Sequence, residues 1–330
     1  MPFFRKRKVS SSGVDGGITI LFATDIHGSE VCFRKFLGSA AHYGAQVIIL
    51  GGDVTGNLVV PVVPQPGGGY VAQLGKQSKV IGEREREAFE QGLRDQGCYV
   101  FETDDSSVLT AGLDEREVEL TFRKAMVTEF ERWLEMAEDR LGGTGVRCFI
   151  SPGNDDPYEL DDVLAQSTYV ENPDGRVVDL DGGVQMLSLG TTNPTPWASP
   201  RETSEDELEK QLEELVGGLA DPSRAVFNTH CPPIGTELDQ APELDEDFNV
   251  RTVLGNPVMT DVGSTAVRST IERYQPLIGL HGHVHESRAV TTLGRTLCIN
   301  PGSAYGAGLL QGALVALDAH AVRSHQLVRG

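Results

Sequence analysis

Five short apolar runs punctuate the chain, at residues 18–24, 47–50, 146–150, 225–229 and 277–280. Each is rich in Val, Ile, Leu or Phe and is closed within a few residues by Gly, Pro or a polar side chain. That is the pattern of a strand buried on both faces. A buried core accounts for the runs but not for the residues at their exits. The first ends at Asp25 and His27, the second at Asp53, the third at Asn154 and Asp155, the fourth at His230, and the fifth at His283 and His285. Loops at strand ends are where open sheets keep their sites, so these eight residues are the candidate functional set.

The linkers carry a helical period. Cys32, Phe36, Leu37, Ala40 and Ala41 line one helix face, and Ser204 followed by Glu207 reads as a capping box ahead of Leu208, Leu212 and Leu215. Val267, Ile271 and Tyr274 line another helix, stopped by Pro276. Residues 289–293, 295–299, 314–317 and 322–327 alternate like a strand meander. The expected class is α/β, a layered αββα sandwich whose site residues meet along one edge.

One stretch is too long for an ordinary crossover. Residues 56–145 open with the Pro/Gly-rich segment 61–69. They close with an amphipathic helix on Val118, Phe122, Met126, Phe130, Trp133, Ala137 and Leu141. The helix is expected to pack on the sheet. The first half, residues 57–103, reads either as a cap over the site or as a contact between copies, with a homodimer as its partner. The chain is thus expected to comprise a disordered basic tail, residues 1–17, and a single domain, 18–330, carrying this long insertion.

Charge and cysteines narrow the partners. With 28 Lys and Arg against 48 Asp and Glu, the net charge is −20, which excludes a broad surface for long nucleic acid but not a small phosphorylated substrate. The five cysteines are scattered, with no CxxC pair, which suits a reducing cytoplasm rather than a disulfide framework. Cys231, beside His230, reads as a structural thiol. His42, His320 and His325 read as ordinary surface or core histidines. No apolar run reaches the roughly 20 residues that span a bilayer, and the basic start lacks a signal peptide's apolar segment. No membrane partner is expected.

Imidazole and carboxylate together suit Mn, Fe, Zn or Ni, whereas Ca and Mg prefer oxygen shells. The order Asp-x-His, Gly-Asp, Gly-Asn-Asp-Asp, His and Gly-His-x-His resembles the calcineurin-like metallophosphoesterase superfamily. The matching residues are Asp25-Ile26-His27, Gly52-Asp53, Gly153-Asn154-Asp155-Asp156, His230 and Gly282-His283-Val284-His285, with Asn300-Pro301-Gly302-Ser303 matching the trailing loop. The resemblance implies a four-layer αββα sandwich of two mixed sheets flanked by helices, and two divalent metals, Mn first among them. Asp25, His27, Asp53 and His285 would hold one; Asp53, Asn154, His230 and His283 would hold the other. Asp53 would bridge, and a hydroxide between the metals would attack phosphorus.

One block departs from the pattern. Where many members place a histidine after Gly-Asn, thought to stabilise the phosphoryl oxygen or protonate the leaving group, this chain has Asp155. Similar replacements occur in prokaryotic branches associated with phosphodiester cleavage and related to cyclic-nucleotide phosphodiesterases. The expected reaction is therefore metal-dependent phosphoester hydrolysis, of diesters before monoesters, on a small substrate such as a nucleotide. An anionic Asp155 beside two cations would be a poor acid and would repel a dianionic monoester. Its alternative role is to cap a loop. The rival readings are a metal-binding scaffold with little turnover and a nuclease for short nucleic acid.

Overall fold

The five apolar runs become parallel strands, divided between two six-stranded sheets. The computed structural model describes residues 17–75, 77–104, 106–109 and 115–330, so the basic tail expected at the N-terminus lies outside the described residues except for Gly17. The chain begins with β1 (Ile18–Ala23), α1 (Glu30–Tyr43) and β2 (Val47–Gly51), the two strands pairing in parallel. It then leaves this sheet to build β3 (Leu58–Pro64), β4 (Tyr70–Leu74), β5 (Gln77–Ile81), α2 (Arg86–Asp95) and β6 (Cys98–Glu102). The long helix α3 (Glu115–Leu141) returns it to β7 (Arg147–Ser151), parallel to β2, and α4 (Glu159–Gln166) leads to β8 (Val170–Glu171).

The second sheet is wound the same way. After β9 (Arg176–Leu180), β10 (Val184–Leu189) leads through α5 (Glu205–Gly217) to β11 (Val226–Thr229). Two short ribbons come next, β12 (Gln240–Pro242) with β15 (Met259–Asp261) and β13 (Thr252–Val253) with β14 (Asn256–Pro257). Then α6 (Thr265–Tyr274), β16 (Ile278–Leu280), β17 (Ala289–Leu293) and β18 (Thr296–Asn300) complete the sheet, in which β10, β11, β16 and β18 run parallel. The chain ends with β19 (Gln311–Leu317) and β20 (Val322–Arg329), antiparallel on the free edge of β1.

Three cores separate four layers, as the αββα expectation requires. Ile20, Phe22, Ile49 and Phe149 of the first sheet meet Met186, Val226, Ile278 and Ile299 of the second. Leu21, Ile48 and Ile150 point the other way, onto α1, α3 and α4. Leu187, Phe227 and Cys298 pack on Leu208, Leu212, Val267 and Ile271 of α5 and α6. Neighbouring residues of one strand thus serve different cores, which explains runs without alternation.

Three expectations need correction. The C-terminal strands are not one meander, since β17 and β18 close the second sheet while β19 and β20 join the first. Only half of the capping box forms: Ser204 accepts from the Glu207 N–H, but the Glu207 carboxylate turns to Lys210 at 3.0 Å. Helix α3 packs on the outer core of the first sheet as expected from Phe122 onward, yet Val118 is exposed, one turn before the first of these residues to reach that core.

The 57–103 segment is a four-stranded sheet, ordered β5-β4-β3-β6, with a small core of Val60, Val62, Ala72, Ile81 and Leu93. It abuts the loops after β1 and β2. The Gly56 N–H donates to Tyr99 Oη at 2.9 Å, and Ser29 Oγ donates to the Asp95 carbonyl at 2.7 Å. Among the described residues, no helix is long and apolar enough to cross a membrane.

Trp133 is the keystone of the outer core, stacked on Phe33 with ring centroids 4.3 Å apart and an 8° interplanar angle. Replacing a buried aromatic by alanine costs about 3–5 kcal/mol. Trp133→Ala is expected to lower unfolding stability by that amount in urea titrations. A loss below ~1 kcal/mol would contradict the packing described.

Candidate metal centre

All the parallel strands that carry the five blocks deliver their C-terminal ends to one edge of the sandwich. From β1 come Asp25 and His27, from β2 Asp53, from β7 Asn154, from β11 His230, and from the loop after β16 His283 and His285. Two groups of ligand atoms result. Asp25, His27, Asp53 and His285 each present one atom within 4.8 Å of the others, and Asp53, His230 and His283 do the same. Asp53 belongs to both.

The local distances crowd these groups together. His27 Nε2 lies 3.0 Å from His285 Nε2 and 3.8 Å from Asp53 Oδ2, and His285 Nε2 lies 3.4 Å from Asp25 Oδ1. His230 Nε2 is 3.3 Å from Asp53 Oδ2 and 3.8 Å from Asp25 Oδ1. Its other nitrogen, Nδ1, is 3.0 Å from the Gly51 carbonyl, which can only accept, so Nδ1 carries the proton and Nε2 faces the carboxylates. That buried Nε2 makes no hydrogen bond, and neither does the buried Oδ1 of Asn154. Unpartnered buried polar atoms are rare and costly in folded proteins. Both are donor atoms suited to a cation, and the mixed nitrogen and oxygen set fits a divalent transition metal.

Charge within the cluster is tightly balanced. Burial pushes the Asp53 carboxyl up, but His230, His27 and His283 outweigh it and hold it well below the usual carboxylate range. Asp25 is brought down in the same way, against burial, by His230 and His285. Burial opposes protonation of His230, yet Asp53 and Asp25 raise it to about 10, and Asp25 raises His285 to about 8. His283 goes the other way, held down to about 4 by burial and the neighbouring His230 charge.

The backbone is bent to make this convergence. Asp25, His27, Asp53 and His283 all have positive φ, at 54°, 40°, 47° and 67°. Such conformations cost on the order of 1 kcal/mol each and persist only where the surroundings over-determine them. The loops also approach closely. A Cβ built on Gly153 would overlap Asp53 Oδ1 and sit 2.8 Å from His230 Nε2, so the glycine of that block is a steric necessity.

Clasps outside the ligand set hold the loops together. Asp156, fully buried, accepts from the N–H groups of Val54, Thr55 and Gly153 at 2.7–3.1 Å and from Thr55 Oγ1 at 2.6 Å, fastening the Asp53 loop to the Asn154 loop. Arg201 donates to the carbonyls of Asp156 and Pro157 at 2.7 and 2.9 Å. Asn300 donates to the carbonyls of Gly282 and Val284, and Ser303 Oγ donates to the Asp25 carbonyl at 2.6 Å, which gives the trailing loop its function. Asn300 and Ser303 sit in a block visible in the sequence, whereas Ser199 and Arg201, in a proline-rich loop, carry no sequence signal. Tyr305 carries none either; its ring lies 4.7 Å from that of His27 and 6.0 Å from that of His285. His281 is buried with Nδ1 3.0 Å from Thr229 Oγ1, and burial holds it down to about 4.

Asp155 lies beside the cluster. Its backbone N–H donates to Asp53 Oδ1 at 3.0 Å. Its carboxylate accepts from Ser199 Oγ at 2.5 Å and from Asn154 Nδ2 at 2.9 Å. It therefore both neighbours the centre and ties down the loop after β10. Burial, then the Asp53 charge, push its carboxyl above the ordinary value. Cys231 is a buried thiol, donating to Asn193 Oδ1 at 2.7 Å and pushed up by burial, away from the ligand groups. His42, His320 and His325 are exposed and lie outside the cluster.

No family model matches the chain. The protein MJ1162 of Methanocaldococcus jannaschii is 30% identical over 178 residues, covering 53% of this chain and 73% of the archaeal protein. The chain belongs to one family with it. Solved structures show the same fold. TT1561 of Thermus thermophilus superposes with a TM-score of 0.52 at 14% identity, over 94% of this chain and 98% of its own. A second structure reaches 0.55 at 17% identity, over 95% of this chain and 98% of its own.

A cation must displace protons from ligands that it shares with them. With His230 and His285 both raised, metal uptake at neutral pH is expected to release protons into a weakly buffered solution, and affinity to rise with pH through about 8 and on toward 10. Metal titrations at several pH values with an indicator dye would check this. Uptake without proton release would mean that the histidines are not ligands.

Proposed function

We propose that the protein is a metal-dependent phosphoesterase with a bimetal centre, acting on phosphodiesters in preference to monoesters. Asp25, His27, Asp53 and His285 would hold one cation, and Asp53, Asn154, His230 and His283 the other. The observation that carries the reading is the single carboxylate of Asp53, shared by both ligand groups and buried between them. Two divalent cations at such a spacing supply Lewis acidity toward the phosphoryl oxygens and a nucleophile from water at neutral pH. Manganese is the first choice for this mixture of imidazole and carboxylate donors, with iron, zinc and nickel also suited to it.

The chain's own residues set the rest. Gly51 fixes the tautomer of His230 so that Nε2 is free, and the backbone N–H of Asp155 orients Asp53. The side chain of Asp155 supports the diester preference. With cations bound beside it, the Asp155 carboxylate would be held ionised against its burial, adding negative charge where a monoester would bring two charges and a diester one, and it offers no cationic acid to a leaving group.

Two measurements test this. Chelation is expected to abolish hydrolysis of bis(p-nitrophenyl) phosphate, and added Mn to restore it; full activity in metal-stripped protein would refute the reading. Asp155→His should raise the ratio of monoester to diester hydrolysis, on the order of tenfold for a residue worth about 1.4 kcal/mol to the transition state. A metal-replete variant with an unchanged ratio would assign the preference elsewhere.

A further inference from the structure

Among the described residues, three aromatic side chains are more than half exposed: Tyr158 at 62%, Trp197 at 67% and Phe248 at 55%. All three gather at the Asp155 side of the cluster. Tyr158 comes three residues after Asp155, and its hydroxyl donates to the Pro200 carbonyl at 3.1 Å. Trp197 is two residues from Ser199, whose hydroxyl bonds the Asp155 carboxylate. Phe248 comes from the separate loop between β12 and β13, and its ring centroid lies 6.4 Å from that of Trp197 at an interplanar angle of 43°.

Neither ring owes its position to apolar burial; polar contacts hold the turns that carry them. Glu202 accepts from the Thr195 N–H at 2.8 Å, Thr195 Oγ1 at 2.5 Å and the Ser199 N–H at 2.9 Å, closing a turn that lifts Trp197 outward through Ala198 at φ 51°. The Asp245 carboxylate accepts from the N–H groups of Asp247 and Asn249 at 3.0 and 2.9 Å, and presents Phe248 at φ 61°. Asn193 donates to the Val262 carbonyl at 3.2 Å, joining the Trp197 loop to the segment after β15, the strand that pairs with β12 at the base of the Phe248 loop. A strained and braced backbone that holds aromatic rings in water needs a reason other than packing.

We infer that Trp197 and Phe248 form a stacking platform for a planar aromatic group of the substrate, a nucleobase or an aryl ester, whose phosphate lies at the metal centre. The inference rests on the phosphoesterase reading. The chain distance supports it: two extended residues span at most about 7 Å, so a ring on Trp197 and a phosphate beside Asp155 fit one small molecule. Stacking on an aromatic face tolerates any base and needs no basic surface, which suits a chain of net charge −20.

The test uses Mn-loaded full-length protein and three inhibitors of diester hydrolysis: AMP, phenyl phosphate and methyl phosphate. The platform predicts that AMP and phenyl phosphate bind more tightly than methyl phosphate, the tighter of the two telling nucleobase from aryl group. Trp197→Ala and Phe248→Ala should each weaken the aromatic pair roughly 5- to 100-fold, the usual effect of removing one base stack. Methyl phosphate inhibition should not change, and Trp197→Phe should retain most of the preference. Equal weakening of all three inhibitors, or of none, would overturn the inference. So would conversion of a dimer to a monomer with AMP inhibition unchanged, which would make the patch an interface. Trp133 is buried, so quenching of exposed tryptophan fluorescence by AMP reports on Trp197 without turnover. If the wild type hydrolyses no ester, the phosphoesterase reading fails, and quenching alone then sustains or overturns the platform.

Discussion

Two carboxylates, Asp25 and Asp53, are taken out of water at the edge of a sheet sandwich, and the surrounding structure is organised around that burial. An isolated ionised carboxylate in a low-dielectric setting is expensive, and it is tolerated only when paired and hydrogen-bonded. Here the partners are four histidines from three strand ends and the backbone N–H groups of Asp155 and His283. The histidines in turn are held so close that two imidazole nitrogens approach at 3.0 Å. Divalent cations between these groups would satisfy the carboxylates, the imidazoles and the unpartnered atoms of His230 and Asn154 together.

Holding that arrangement costs backbone strain, and the fold distributes the restraint. The strands arrive parallel from two sheets, so their ends open on a common edge. Left-handed residues turn the chain sharply at Asp25, His27, Asp53 and His283, and the loops are fastened to one another by side chains outside the candidate ligand set. Asp156 joins the second loop to the third, Arg201 the third to the loop after β10, and Asn300 and Ser303 the last to the first. The network explains how an electrostatically unfavourable cluster stays preorganised.

The convergence of the candidate ligands was readable in the sequence because each comes after a strand buried on both faces, and such strands are visible as unbroken apolar runs. The layered architecture could be read from the helices between them. Other features were not readable, for identifiable reasons. Strands β17 to β20 share one alternating pattern, and nothing local tells which sheet edge each will join. Ser199 and Arg201 act through contacts 44 to 45 residues away in sequence, within a loop whose composition reads only as turn. The sheet of residues 58–102 looked like an irregular insertion because Pro61 and Pro64 lie within β3, which masks the strand pattern.

The central claim is that one carboxylate serves two cations, and metal stoichiometry tests it directly. Wild type, Asp53→Asn, His27→Ala and His230→Ala would be titrated with Mn and the bound metal counted per chain. Each histidine belongs to one ligand group and Asp53 to both. The account predicts two equivalents for the wild type, loss of one for each histidine variant, and loss of both for Asp53→Asn. An Asp53→Asn protein that is folded and keeps one tightly bound equivalent, as the histidine variants do, would contradict it.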